Sequence, residues 1–376
     1  VKRGFSVEEY RARLARAQAA MERAGLGAIL LTTEPDIRYF TGYLTRFWES
    51  PSRPWFLVLP LTGAPVAVIP SIGAALMAKT WIRDIRTWSA PDPEDDGVSL
   101  LADTLRGTGG PVGVPSGPES HLRMPLADFE RVKRASGLEW RNDGGIVAAL
   151  RAVKSEAEID KIAHSCGLAG RAFDRVHEIA APGVPLSQVF RDFQRLLLEE
   201  GADWVPYLAG GAGPDGYGDV ISPASEVPLG GGDVLMLDTG AVWDGYFCDY
   251  DRNFAIGHAT KAQQDAHHRL VDAVAAAFDI ARPGARASDL WRAMADIVGD
   301  GDAAGRLGHG LGMQLTEGLS LTAKDHTVLE PGMVITLEPG VALLPGRIMV
   351  HEENIAITKG APRRLSRFSG RELAVI

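Results

Sequence analysis

Five side chains in the second half of this chain have the types and settings for metal chemistry: Asp238, Asp249, His309, Glu338 and Glu352. The first two stand on one stretch, GDVLMLDTGAVWDGYFCDYDRNFAIG, from Gly232 to Gly257. An Asp-Gly step between apolar runs signals a hairpin, which puts the turn at Trp243-Asp244-Gly245. Asp238 and Asp249 are nearly equidistant from that turn, and near-opposite residues of an antiparallel pair share a face. Two carboxylates side by side on a mostly apolar hairpin repel each other unless something positive lies between them. A metal ion, or a pair of ions bridged by both acids, would serve. An exposed hairpin with solvated acids is the other reading, and the pair alone does not choose between them.

Three later residues add weight to the first reading. His309 sits in LGHGLGM, flanked by glycines that let the backbone come close to a site. Glu338 ends the apolar run MVITLE, and Glu352 lies inside the strand-like IMVHEENIAIT. A carboxylate that ends or interrupts an apolar strand is costly unless paired or metal-bound. Two Asp, one His and two Glu form a hard-oxygen site with one imidazole. Such a set suits Mn, Co, Fe or Zn and has enough bridging carboxylates for two ions. His351 neighbours Glu352, and alternation turns it to the other strand face, as a surface or supporting residue rather than a ligand. Cys248, beside Asp249, reads as a small buried residue.

The elements that must position these residues follow from periodicity. Ser6 and Glu9 make a capping box for a helix whose Tyr10, Leu14, Ala17 and Met21 share a face, and Gly25 stops it. Short strands are expected at 28–32, 56–60, 64–70 and 112–115, with helices around 72–80, 97–107 and 124–135. Beyond 150 the texture changes. Ser155 and Glu158 open a helix whose buried face is Ile159, Ile162, Cys166, Ala169, Phe173 and Val176. His164 and His177 fall off that stripe and are expected to face solvent. A turn and cap at 182–187 lead into a helix to about Glu200. Helices over about 261–281 and 287–299 follow the hairpin, and His267 and His268 are expected to be solvated on the first of them. This is an α/β first domain of 1–148 and an α+β second domain of 149–376, which carries the constellation.

Composition narrows the function classes. The chain has 376 residues, 45% of them hydrophobic and 23% charged, which is a soluble globular composition of roughly two domains. A net charge of −9 argues against a nucleic-acid partner. No apolar run approaches the ~18 residues that a membrane span needs. The start, VKRGFSVEEYRARL, has no signal-peptide core. Cys166 and Cys248 show no CxxC spacing, so a reduced, cytoplasmic setting is expected.

Taken together, the motifs resemble the pita-bread metallopeptidases, which include methionine aminopeptidase, aminopeptidase P, prolidase and the metal-free creatinase. LDTGA…GYFCDYDRNF is similar to the family's two-ligand hairpin, GHGLGM to its histidine motif, TLEPG and EENIAIT to its glutamate motifs. LRAVKSEAEIDKI resembles the entry to the catalytic domain of prolidases, and EPDIRYFTGY a motif of their creatinase-like N-terminal domains. The resemblance implies that Asp238 chelates one metal, Asp249 and Glu352 bridge two, and His309 binds the second. Glu338 would assist that metal and shuttle a proton as the catalytic acid/base. It implies a metal-dependent Xaa-Pro dipeptidase or aminopeptidase P, with metal-activated water attacking an amide carbonyl. A cytoplasmic homodimer, using manganese or another of the metals above on a dipeptide or other small substrate, completes the expectation.

The match has gaps. Peptidases of this family usually follow the GHG histidine with a second His in an HExP segment. The aligned stretch here is TEGL, so Thr316 stands for that His and Leu319 for the Pro. They also carry a His shortly before the Gly-Asp that opens the hairpin, whereas 207–233 has none, with Asp219, Val220 or Ile221 in its place. Asp251 replaces a common Thr. The resemblance assigns those histidines to the substrate carbonyl, and a hydroxyl cannot carry their charge. Two rival readings therefore remain: a non-peptidase metalloenzyme cleaving a C–N, ester or C–S bond, and a binding protein with a degenerate site. The segment RFWESPSRPW (46–55) is either core or a loop reaching a substrate pocket, as such segments do in related dimers. Thr316, Trp48 and Arg53 are the candidate substrate-binding residues.

Overall fold

The computed structural model describes residues 1–50, 54–299 and 305–376. The chain divides into two compact units, one over Lys2–Arg151 and the other over Ala152–Ile376. In the first, α1 (Val7–Ala24) starts where the Ser6 side chain accepts from the Glu9 amide and stops at the left-handed Gly25. It buries Tyr10, Leu14, Ala17 and Met21. There follow β1 (Ala28–Leu31), α2 (Glu34–Thr41), β2 (Phe56–Pro60), β3 (Val66–Pro70), α3 (Ala74–Met77) and β4 (Asp84–Trp88). After these come α4 (Val98–Arg106), β5 (Val112–Val114), α5 (Leu126–Ser136), β6 (Trp140–Asn142) and α6 (Ile146–Ala152). The strands form one mixed sheet in the order β4-β3-β2-β1-β5-β6.

Three differences from the periodicity reading have physical causes. The helix expected over 72–80 is a 3-10 turn at Ser71–Gly73 followed by the four-residue α3. EPDIRYFT forms α2, with Pro in its first turn and Gly42 as a left-handed stop. The edge strands β4 and β6 are half-exposed and lack the apolar run that marks a buried strand.

The second unit opens with α7 (Glu156–Asp174), whose Ser155–Glu158 capping box is fully formed. Next are α8 (Leu186–Glu199), β7 (Trp204–Gly213), β8 (Val234–Trp243), β9 (Tyr246–Phe247), β10 (Tyr250–Ala255), α9 (Lys261–Ile280) and α10 (Ala287–Val298). The chain closes with β11 (Val334–Leu337), β12 (Gly340–Leu344), β13 (Arg347–Val350), β14 (Glu353–Ala356), β15 (Arg363–Arg364) and β16 (Ala374–Val375). One sheet runs β16-β10-β8-β7 with β9 on β8, a second runs β11-β14-β15, and β12 pairs with β13. Val234, Met236 and Ala255 of the first sheet share a core with Ile335, Leu337 and Ile355 of the second. Leu270 and Val274 of α9, and Leu290 and Met294 of α10, cover it. Side chains alternate along a strand, so Asp238 takes the next inward place after Val234 and Met236. The apolar core therefore gives way directly to an acid-lined end. Among the described residues no helix is long and apolar enough to cross a membrane.

Candidate metal centre

Asp244 and Gly245 both have positive φ, 49° and 81°, so β8 and β9 are joined by the two-residue primed turn that an Asp-Gly step favours. From that turn the register runs Val242 to Phe247, Thr239 to Tyr250 and Asp238 to Asp251. The residue directly opposite Asp238 is thus Asp251, and Asp249 lies two residues along on the same face. Asp249, Asp251 and Asp238 are all buried. On the other flank, β7 brings Tyr207, whose hydroxyl donates to Asp238 Oδ2 at 3.0 Å.

His309 enters beside β11 through bridges of His309 to Ser320 and Gly310 to Ile335. The flanking glycines are required there. A Cβ on Gly308, at φ 137°, would lie 2.2 Å from the Thr336 carbonyl oxygen, and one on Gly310 would lie 1.9 Å from that of Glu317. His309 Nδ1 faces the Gly310 carbonyl at 3.0 Å. A carbonyl only accepts, so Nδ1 carries the proton and Nε2 keeps a lone pair. That Nε2 lies 3.3 Å from Asp249 Oδ2 and 3.9 Å from Glu352 Oε1. Asp249, His309 and Glu352 offer ligand atoms all within 4.8 Å of one another.

The electrostatics of this pocket are unfavourable as it stands. Burial, reinforced by Asp251 and Glu338, pushes the Asp238 carboxyl well above the carboxylate range. Burial does the same to Asp249, with Asp238 and Glu338 adding to it, and to Glu352, with Asp249 and Glu338 adding to it. Glu338, half-buried just after β11, is pushed up to about 7 by burial, against the opposing charge of Arg306. Burial lowers His309 to about 4, so its imidazole is neutral at pH 7. Among the described residues, Asp238 Oδ1, Asp251 Oδ2 and Glu352 Oε1 are buried without a hydrogen-bond partner. A lone pair aimed at two ionised carboxylates, amid orphaned carboxylate oxygens, is repulsive, and a cation between them relieves it without protonating the acids. The donor set, oxygen-rich with one neutral imidazole, fits a divalent first-row metal.

The other residues singled out by sequence fall in varied places. Thr316 is half-buried. Next to it, the buried Glu317 pairs with buried Lys154 at 2.9 Å. Trp48 is packed in the first unit against Tyr43 and Trp55, with the Arg123 guanidinium 5.1 Å from its ring. Arg53 lies outside the described residues. Cys248 is buried. His177 is exposed, but His164 is half-buried against the Trp243 ring at 4.4 Å. His267 is not solvated: it is 2% exposed, and its Nε2 donates to the Gly370 carbonyl at 3.0 Å. The C-terminal segment covers the face of α9 that periodicity left polar. His268 is half-buried, 3.6 Å from Glu372. His351 is buried between Asp251 and Glu353. Sequence reasoning missed Tyr207, Arg306 and the inward role of Asp251. Only Asp251 left a signal, its i, i+2 spacing from Asp249.

This fold and pocket belong to a class of metal-dependent hydrolases, and comparison with known proteins is specific. Residues 160–359 match metallopeptidase family M24 and residues 13–153 the creatinase/prolidase N-terminal domain. The probable dipeptidase PepE of Mycobacterium tuberculosis is 32% identical over 346 residues, covering 89% of this chain and 88% of the relative. An Xaa-Pro dipeptidase of Pyrococcus horikoshii is 30% identical over 261 residues, 66% of this chain and 72% of the relative. The crystal structure of dipeptidase PepE from Mycobacterium ulcerans superposes with a TM-score of 0.84 at 29% identity, covering 99% of both chains. The chain belongs to metallopeptidase family M24, and it is a hydrolase.

Proposed function

We propose that this enzyme hydrolyses dipeptides, Xaa-Pro dipeptides among them, at a two-ion centre in the second unit. The observation that carries the reading is the convergence of the Asp249, His309 and Glu352 ligand atoms within 4.8 Å. Asp238, Asp249, His309, Glu338 and Glu352 would hold the ions. When bound, Mn, Co, Fe or Zn would supply a water nucleophile at neutral pH and polarise the scissile carbonyl. The chain's own residues do the rest. The Gly310 carbonyl fixes the His309 tautomer, and Tyr207 orients Asp238. Glu338, pushed up to about 7, is suited to take a proton from the nucleophile and return it to the leaving amine. A cytoplasmic homodimer belongs to the same reading, and light scattering on the purified enzyme tests the dimer.

Ala-Pro and Gly-Pro hydrolysis, assayed with Mn, Co, Fe and Zn each added to metal-stripped protein, tests the substrate. We expect kcat/KM of at least ~10⁴ M⁻¹s⁻¹ with one of the metals, the low end for ordinary enzymes. Values far below that in a fully metallated preparation would favour the second reading, a non-peptidase on the same scaffold. Thr316, in place of a histidine, is the observation behind that alternative. The intact set of five metal-binding side chains argues against a degenerate binding protein.

A further inference from the structure

An acid–imidazole–acid run lies behind the hairpin and has no place in the reading so far. Asp251, where Thr is common in this hairpin motif, is 1% exposed and paired across the strands with Asp238. Its Oδ1 accepts from the Glu352 amide at 3.1 Å and faces His351 Nδ1 at 3.2 Å. The other ring nitrogen of His351 faces Glu353 Oε1 at 3.2 Å. Glu353 is held in turn by the Ser366 hydroxyl at 2.5 Å, the Ser369 amide at 2.6 Å and Arg252 at 3.1 Å. Both nitrogens of His351 are therefore spent on carboxylates, and neither is free for a metal. With Oδ1 tied down, Asp251 Oδ2 is left buried and without a partner among the described residues, as is Asp238 Oδ1 on the residue opposite.

We propose that Asp251 is a further acidic member of the metal centre, giving its free Oδ2 to the ion held at Asp238, and that His351 is its positioning residue. The inference rests on the two-ion reading above. A threonine at this place offers one neutral hydroxyl, whereas a carboxylate adds a full charge and a harder oxygen, which tightens the hold on a hard divalent cation. Groups that support a metal centre commonly change its affinity by ~10–100-fold when removed.

The test is calorimetric titration of the metal-stripped full chain with Mn²⁺, for the wild type, Asp251→Thr, Asp251→Asn and His351→Gln. Wild type should take up two ions. In both Asp251 variants one ion should bind at least ~10-fold more weakly while the other stays within about threefold. His351→Gln should shift the same ion by less, because an amide still donates to Asp251. Circular dichroism checks the fold, and two Asp251 variants are included so that one misfolded protein does not decide the matter. Affinities within twofold of wild type for both ions in a folded Asp251 variant would overturn the inference and leave the two-ion reading standing. A wild type that takes up no Mn²⁺ would overturn both.

Discussion

At the residue scale the decisive fact is the orientation of one imidazole. His309 has spent its proton on a backbone carbonyl and presents a neutral nitrogen to Asp249 and Glu352. A cation held between them makes that arrangement favourable with both acids ionised. His309→Ala should therefore cost at least about a hundredfold in kcat/KM, the scale of losing a direct electrostatic contact in catalysis. His177→Ala, on an exposed turn, should be silent, and equal effects in an activity assay would move the site elsewhere. Thr316→His probes the clearest departure from the peptidase pattern. If the pocket is a dipeptidase pocket, the restored donor leaves Ala-Pro hydrolysis equal or higher; a fall would indicate a pocket reshaped for another substrate. Asp249, His309 and Glu352, whose ligand atoms the fold brings within 4.8 Å, stood out in the sequence: the two acids because each lies in an apolar strand-like run, His309 because glycines flank it. Asp251 did not, because its importance depends on which residue of β8 it faces. His351 was half legible: alternation turns it away from the ions, but only the folded chain shows it gripping Asp251 and Glu353.

At the scale of elements, strand alternation and glycine clearance place the ligands. A Cβ at Gly308 would meet the Thr336 carbonyl at 2.2 Å, with φ at 137°. Gly308→Ala should destabilise the fold by more than ~1 kcal/mol and weaken metal uptake together, read by thermal melting and metal titration on the same sample. Helix α9 supplies a pH signature. His267 is held at about 4 by burial, with His351, His268 and Arg252 also disfavouring its charge and the Gly370 carbonyl opposing them. The folded form thus binds fewer protons than the unfolded form between pH 4 and the ordinary value of 6.5. Stability from this group is present above pH 6.5 and is lost as pH falls towards 4, on the order of 3 kcal/mol in all. His267→Gln should flatten the denaturant midpoint against pH across that window; an unchanged slope would contradict a buried neutral imidazole. The sequence placed α9 correctly but turned its histidine to solvent, because the covering segment around Gly370 is more than a hundred residues away in the chain. Long, strongly periodic helices and the Asp-Gly turn are local features and were legible. The edge strands β4 and β6, whose pairing is their only signature, were not.

For the whole molecule, the account couples metal to fold. A unit that buries Asp238, Asp249, Asp251 and Glu352, acids that raise one another's carboxyls, is under electrostatic strain that a bound cation would relieve. Any ligand of the native state stabilises by mass action, about 2.7 kcal/mol at a hundred times its dissociation constant. Chelation should therefore lower the thermal midpoint of the enzyme by several degrees, and re-addition of metal should restore it. The match of residues 160–359 to family M24 and of 13–153 to the creatinase/prolidase N-terminal domain accounts for the architecture, while the substrate depends on side chains such as Thr316. The most direct test of the central claim is elemental analysis of the metal-replete enzyme. The account predicts close to two divalent transition-metal ions per chain, with hydrolysis abolished by a chelator. Less than about a tenth of an ion per chain, with hydrolysis surviving chelation, would contradict it.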